Sequence, residues 1–161
     1  MSGLWCPGWR TRHLTTEYRK PIPQPSPETQ PYWDGCKRHE LWLPYCPQCR
    51  EFFFYPRAFC PRCFSWEIEW RQASGRGTLY TYSIQYRPQA PGFEPPYVTA
   101  IVQLEEGPRM MTNLVGVEPD PTQIHCDMPV EVVFEDVNEE ISLPLFRPSG
   151  GEPRTENLEP E

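Results

Sequence analysis

Two cysteine pairs, Cys46-Pro-Gln-Cys49 and Cys60-Pro-Arg-Cys63, constrain this chain more than any other stretch. Each pair has two residues between its cysteines, and ten residues separate the pairs. With that spacing each pair forms a tight knuckle, the intervening segment forms a short hairpin, and four thiolates converge on one tetrahedral ion. Cys46, Cys49, Cys60 and Cys63 are therefore the expected metal ligands. Four sulfurs leave no coordination position open for water or substrate, so such a site is structural. A structural zinc contributes about 10–16 kcal/mol to folding a segment too small for its own core. Zinc is the expected ion, one per chain, with iron as the alternative. Four-thiolate iron centres usually carry a small residue just after each knuckle so that amides reach sulfur. Here Arg50 and Phe64 hold those positions, which favours zinc. Two disulfides are disfavoured, because paired CxxC knuckles without a secretion signal read as metal ligands.

The 161 residues allow one ordinary domain or two small ones. No apolar run approaches the ~18 residues of a membrane span. The start Met-Ser-Gly-Leu-Trp-Cys-Pro-Gly lacks the charged and then apolar pattern of a secretory signal, so a cytoplasmic protein is expected. The 22 prolines argue for strands, turns and extended tails over helices. The net charge of −7 conceals an asymmetry. Residues 1–90 carry 12 Lys/Arg against 7 Asp/Glu, and residues 91–161 carry 3 against 15. The acidic half repels a phosphate backbone, which weighs against nucleic acid as a partner. The basic half suits a smaller anion or an acidic protein surface.

In chain order, residues 1–25 read as an extended leader, with Pro21, Pro23, Pro25 and Pro27 at every second position. Residues 26–40 read as an amphipathic helix. Ser26 is its expected N-cap, Pro27 its first position, and Tyr32, Trp33, Cys36, His39 and Leu43 its apolar stripe. Residues 41–71 form the expected metal ribbon. On a strand, Phe52 and Phe54 would face one way and Phe53 and Tyr55 the other. A ribbon this small cannot bury both faces, so some of these aromatics are expected against a neighbour. Trp66, Ile68 and Trp70 alternate with Glu67 and Glu69 as in a half-buried strand. From residue 72 to 148 the pattern becomes five short strands with turns between them. Tyr80, Tyr82, Ile84 and Tyr86 are expected to share a core face, as are Val98 to Leu104, Val130 to Phe134, and Ile141, Leu143 and Leu145. Thr122–Cys126 reads as a helical turn, and Pro144 as an edge or bulge position. Five strands suit a small closed barrel, the OB-fold. Residues 149–161 read as a disordered acidic tail. The fold class is thus mainly β: a helix, a four-Cys ribbon and a five-stranded barrel.

These residues together resemble a known family that joins a rubredoxin-like zinc ribbon to an OB-fold and associates with acyl-CoA enzymes. The likeness runs from Pro31-Tyr-Trp-Asp-Gly35 through both knuckles to Glu69-Trp70. It continues with Ser74-Gly-Arg-Gly-Thr-Leu-Tyr80, Pro96-Tyr-Val and Glu106-Gly107, and ends with Thr112-Asn-Leu-Val-Gly116 and Met128-Pro-Val-Glu-Val-Val-Phe-Glu135. The resemblance implies a non-catalytic accessory subunit. Relatives complete or support thiolase-fold enzymes, including thiolases, acyltransferases and retro-aldol lyases, or hotdog-fold enoyl-CoA hydratases. The alternatives are an OB-fold binder of single-stranded nucleic acid and a rubredoxin-type electron carrier.

The residues agree with a supporting role. Outside the ribbon the cysteines are Cys6, Cys36 and Cys126, and His125-Cys126 would point apart on a strand. His13 and His39 read as tail and helix residues, and Gly75-Arg-Gly77 matches no phosphate-loop pattern. Arg50, Arg57, Arg62 and Arg76 are candidate contacts for the phosphates of a CoA shared with the partner, or for the partner itself. Phe93, in the stiff loop Pro88–Pro96, is a candidate partner contact.

Overall fold

A computed structural model describes residues 18–150. Readings made for residues 1–17, including Trp5, Cys6, Trp9 and His13, and for 151–161 lie outside the described residues. Among the described residues one helix, α1 (Gln30–Lys37), precedes eight strands. Strands β1 (Trp42–Cys46), β2 (Glu51–Phe52) and β3 (Glu69–Gln72) form a small sheet in the order β2-β1-β3. Strands β4 (Arg76–Gln85), β5 (Tyr97–Leu104), β6 (Arg109–Leu114), β7 (Pro129–Asp136) and β8 (Ser142–Pro148) close a barrel in the order β4-β5-β6-β8-β7. This is the expected five-stranded OB-fold. Among the described residues no helix is long and apolar enough to cross a membrane.

The helix is shorter than its apolar pattern. Thr29, not Ser26, is the N-cap, and Pro31 falls in the first turn. Ser26 instead closes the preceding turn, where its amide donates to Thr29 Oγ1 (2.9 Å) and the Thr29 amide donates to its carbonyl (2.9 Å). The Thr29 hydroxyl is thereby spent on Ser26 and caps nothing. At the other end His39 takes a left-handed φ of 59°, which stops the helix. His39 therefore leaves the apolar stripe. Its ring lies half exposed on Asp136 (3.1 Å) and stacks on Phe134 with centroids 5.4 Å apart. Leu43 is buried, but on β1. Gly35 lets β1 cross close to the helix, since a Cβ there would sit 2.7 Å from Trp42 Cδ1.

One core joins the parts. Tyr32, Trp33 and Cys36 of α1 and Leu41 and Leu43 at β1 pack in the same cluster as Leu79, Val102, Met110, Val130 and Phe146 of the barrel. Phe52, Phe54 and Trp70 join its margin. The half of the ribbon nearest the barrel thus shares the barrel's core. The distal half holds a separate, much smaller cluster of Cys46, Phe53 and Cys60, with Cys49 and Ile68 against it.

Several strand faces differ from the pattern read in the sequence. Register shifts between Leu79 and Thr81, so Tyr80 is the extra residue of a bulge. Leu79 points into the core and Tyr80 outward, where the Arg109 guanidinium lies 3.6 Å from its ring. Tyr82 and Ile84 remain against the core, and Tyr86 is 69% exposed. In β8 the inward residues are Ser142, Pro144 and Phe146, all buried, whereas Leu143 and Leu145 lie on the outer face, half-buried. The Ser142 hydroxyl tolerates the interior because it donates to Asp136. Pro144 is accommodated at the seam of the barrel, where β6 and β8 pair only at Leu114↔Phe146. Thr112 Oγ1 bridges that seam to the Pro144 carbonyl (3.2 Å). Segment 120–126 is a hydrogen-bonded turn and not a helix, with the Gln123 amide on the Asp120 carbonyl at 3.0 Å. It places Ile124 against the core, and Tyr82 Oη donates to the Ile124 carbonyl (2.8 Å).

Candidate metal centre and docking surfaces

The two knuckles bring four sulfurs together. The Sγ atoms of Cys46, Cys49, Cys60 and Cys63 all lie within 4.8 Å of one another, with Cys46–Cys63 at 3.6 Å and Cys49–Cys60 at 3.9 Å. Tetrahedral bonds of ~2.3 Å require sulfurs about 3.8 Å apart, so the cage fits one thiolate-bound ion. The separations are far beyond a ~2.05 Å disulfide bond. Backbone geometry builds each knuckle. Arg50 and Phe64 both adopt left-handed φ, 57° and 61°, and their amides close turns onto the Cys46 carbonyl (2.8 Å) and the Cys60 carbonyl (2.9 Å). The amides of Cys49 and Arg62 donate to the sulfurs of Cys46 and Cys60, each at 3.4 Å. The bulk of Arg50 and Phe64 therefore does not prevent amide-to-sulfur contact. The steric reason for preferring zinc to iron falls away, and the four sulfurs form a four-thiolate metal site that suits either element.

The electrostatics also call for a cation. The Cys49 thiol is pushed up to about 12, first by its hydrogen bond with Cys63 and then by burial. For Cys60 burial opposes ionisation, but the amides of Cys63 and Arg62 together with the thiols of Cys46 and Cys63 outweigh it and bring the thiol down to about 7. Four thiolates this close repel one another, and a divalent ion is what allows all four to ionise together.

The proposed anion contacts are dispersed. Arg62 is paired with Glu51, and Arg76 is paired with Glu105 at 3.1 Å on the barrel rim. Arg71 is paired with Glu69 at 2.7 Å and covers Tyr45. Arg50 and Arg57 are exposed and form no ion pair among the described residues. Phe93 does not project freely. It packs on Tyr97 with centroids 5.1 Å apart, and the Lys20 ammonium lies 5.4 Å from its ring.

Of the run read in the sequence, Phe53 is buried, Phe52 and Phe54 are half-buried against the core, and Tyr55 is left exposed. Further exposed aromatic surface in the ribbon lies beyond the second knuckle, where Phe64 is 69% and Trp66 74% exposed. Both rings contact Phe59, with centroids 6.2 and 5.4 Å away. The alternation of Trp66, Ile68 and Trp70 predicts a half-buried strand that includes Trp66. β3 starts only at Glu69, so Trp66 stands outside it while Ile68 and Trp70 reach different clusters. An apolar groove of about 370 Å³ lies between Tyr32, Trp33 and Tyr55 on one side and Met111, Leu143 and Leu145 on the other.

A four-thiolate ribbon fused through one core to an OB barrel defines a class of small metal-braced module. The chain belongs to the ChsH2 family of DUF35 proteins. Residues 33–69 match the rubredoxin-like zinc ribbon domain of ChsH2, and residues 70–135 match its C-terminal OB-fold domain. It is 35% identical over 130 residues to a probable enoyl-CoA hydratase alpha subunit of Thermomonospora curvata, covering 81% of this chain and 40% of that protein. It is 38% identical over 106 residues to a DUF35 domain-containing scaffold protein of Methanothermobacter thermautotrophicus, covering 65% of this chain and 78% of that one. Among solved structures, a chain of the Ltp2-ChsH2(DUF35) aldolase superposes with a TM-score of 0.70 at 35% identity. That match covers 79% of this chain and 98% of the other. The chain therefore spans less than half of the hydratase subunit but nearly all of the aldolase's chain.

Proposed function

We propose that this protein is a non-catalytic accessory subunit, cytoplasmic, that docks on a thiolase-superfamily or enoyl-CoA hydratase enzyme and supports its action on an acyl-CoA. The observation that carries this reading is the near-complete match to the chain in the Ltp2-ChsH2(DUF35) aldolase, together with the relative named as a scaffold. The chemistry of the chain's own side chains supports it. Cys36 is fully buried and its thiol is pushed up to about 12, first by burial, the opposite of an activated nucleophile. Cys126 is exposed in a turn, and the His39 ring is engaged by Asp136 and Phe134. Of the tyrosines that could stack bases, Tyr82 is bonded inside and Tyr80 lies under Arg109.

In this reading Cys46, Cys49, Cys60 and Cys63 hold one structural zinc, which fixes both knuckles. The knuckles in turn hold out Phe64 and Trp66 as the aromatic anchor of the docking face. Arg50 and Arg57, free of ion pairs among the described residues, meet acidic groups of the partner or CoA phosphate at the same face. Arg62 and Arg76 are already neutralised in place and contribute less.

The test is co-expression with candidate thiolase-fold or hotdog-fold enzymes of the same organism. Size-exclusion chromatography and acyl-CoA turnover are then measured for each chain and for the pair. The expected result is a stable complex whose turnover is lost without the partner. Turnover of an acyl-CoA by the isolated chain at enzymic rates would overturn the reading.

A further inference from the structure

The leader is not wholly peripheral. Residues 18–23 run as an extended strap over the outer face of the barrel, beside the loop that joins β4 and β5. The strap is fitted to that loop. Gly92 has a φ of 88°, and a Cβ there would lie 2.5 Å from the Arg19 carbonyl carbon and 2.7 Å from the Lys20 nitrogen. Glycine thus serves both the turn and the close approach of the strap backbone. The Lys20 ammonium lies 5.8 Å from the Tyr18 ring and 5.4 Å from the Phe93 ring, which fastens strap to loop.

Between strap and barrel lies a cavity of about 660 Å³, within the roughly 300–1,000 Å³ of small-molecule sites. Its floor is apolar, built from Val115, Val133, Leu143 and Leu145. The last three belong to the outer faces of β7 and β8, where an OB barrel ordinarily meets water with polar side chains. Tyr97 also lines the cavity, and its hydroxyl is buried with no partner among the described residues. A buried hydroxyl without a partner is costly and marks a place for a hydrogen bond. Tyr97 and Val98 of β5 and Asn113 and Leu114 of β6 also line it, so the cavity extends from the fourth and fifth barrel strands onto the second and third, whose face binds ligands in this fold. Lys20, Glu94 and Glu135 stand at the cavity wall, one cation and two carboxylates, so the site disfavours phosphate.

We propose that this strapped cavity is a binding site for an uncharged, elongated apolar molecule carrying one carbonyl or hydroxyl oxygen, which pairs with the Tyr97 hydroxyl. The site is distinct from the metal ribbon and requires no partner enzyme.

Titration of the full-length chain with Nile red, a neutral apolar dye with a carbonyl oxygen, tests it by fluorescence. Saturable binding of about one dye per chain is expected. Val133→Lys places a charge on the cavity floor at an outward, half-buried position, and it should weaken the dye at least tenfold. Tyr97→Phe should weaken it about three- to tenfold with unchanged far-ultraviolet dichroism. Trp66→Glu, on the exposed ribbon aromatics, should leave dye binding unchanged. Absence of saturable binding to the folded chain overturns the proposal. So does binding that survives Val133→Lys and Tyr97→Phe, or that is lost in Trp66→Glu. None of these results bears on docking to an acyl-CoA enzyme, which is read from complex formation.

Discussion

Replacing Cys49 by Ser removes one sulfur from the cage and should unfold only the distal half of the ribbon. The magnitude follows from what else holds that half. Its cluster buries Cys46, Phe53 and Cys60, with Cys49 and Ile68 partly covered. Phe53 is the only large apolar side chain fully inside it, and its burial contributes about 1.5–3 kcal/mol. A structural zinc contributes about 10–16 kcal/mol, several times more. The knuckle residues 47–50 and 55–68 therefore have no means of staying ordered once the cage fails, whereas Phe52 and Phe54 keep their contact with the main core. β1 and β3 behave differently, because Leu41, Leu43 and Trp70 pack with the barrel. Hydrogen exchange read residue by residue is the assay. In Cys49→Ser, or in wild type after chelation, the amides of Arg50 and Phe64 should lose protection, since their acceptors are the knuckle carbonyls of Cys46 and Cys60. The amides of Leu79 and Val132, bonded to Met128 and Gly75, should keep theirs. Unchanged protection of Arg50 and Phe64 in metal-free protein would refute the reasoning, as would simultaneous loss across the barrel.

Three further outcomes are expected. Phe146→Ala removes a fully buried ring at the β6–β8 seam and should cost about 3–5 kcal/mol in chemical denaturation, with the metal retained. The Asp136 carboxyl is held below its ordinary value of 3.8, first by the Ser142 hydroxyl and then by His39. Its stabilising effect is thus present above that value and lost as pH falls through the lower folded one, so Asp136→Asn should flatten the acid limb of the stability profile relative to wild type while lowering stability at pH 6. Trp66→Glu should leave melting temperature and metal content unchanged, because the ring is 74% exposed, and should abolish complex formation in a size-exclusion assay with the partner enzyme.

The parts legible in the sequence were those fixed by short-range chemistry. Cysteine spacing identified the cage because a CxxC knuckle sets its geometry within four residues, and the structure brings the four sulfurs together. Alternation in β5 gave the correct inward face, Val98, Ala100, Val102 and Leu104, because no bulge interrupts its pairing with β6. The same reasoning failed in β4, where the extra residue Tyr80 shifts the faces. At β8 it held for Ile141, which is buried in the core, and failed for Leu143 and Leu145, which lie half-buried on the outer face while a hydrogen-bonded Ser142 points in. Side-chain polarity cannot reveal that exchange, since it depends on Asp136 across the strand pair and on α1, Leu143 and Leu145 lining one groove. Trp66 was misplaced because a two-residue period over three residues carries little information. The dispersal of Arg62 and Arg76 could not be read either, because their carboxylate partners lie 11 and 29 residues away.

Elemental analysis of the purified native chain, run beside Cys49→Ser, tests the metal-braced account most directly. It predicts about one zinc per chain in wild type and almost none in the variant. Wild-type protein without bound metal contradicts the account, and stoichiometric iron with a visible thiolate band would make the ribbon an electron-transfer centre instead.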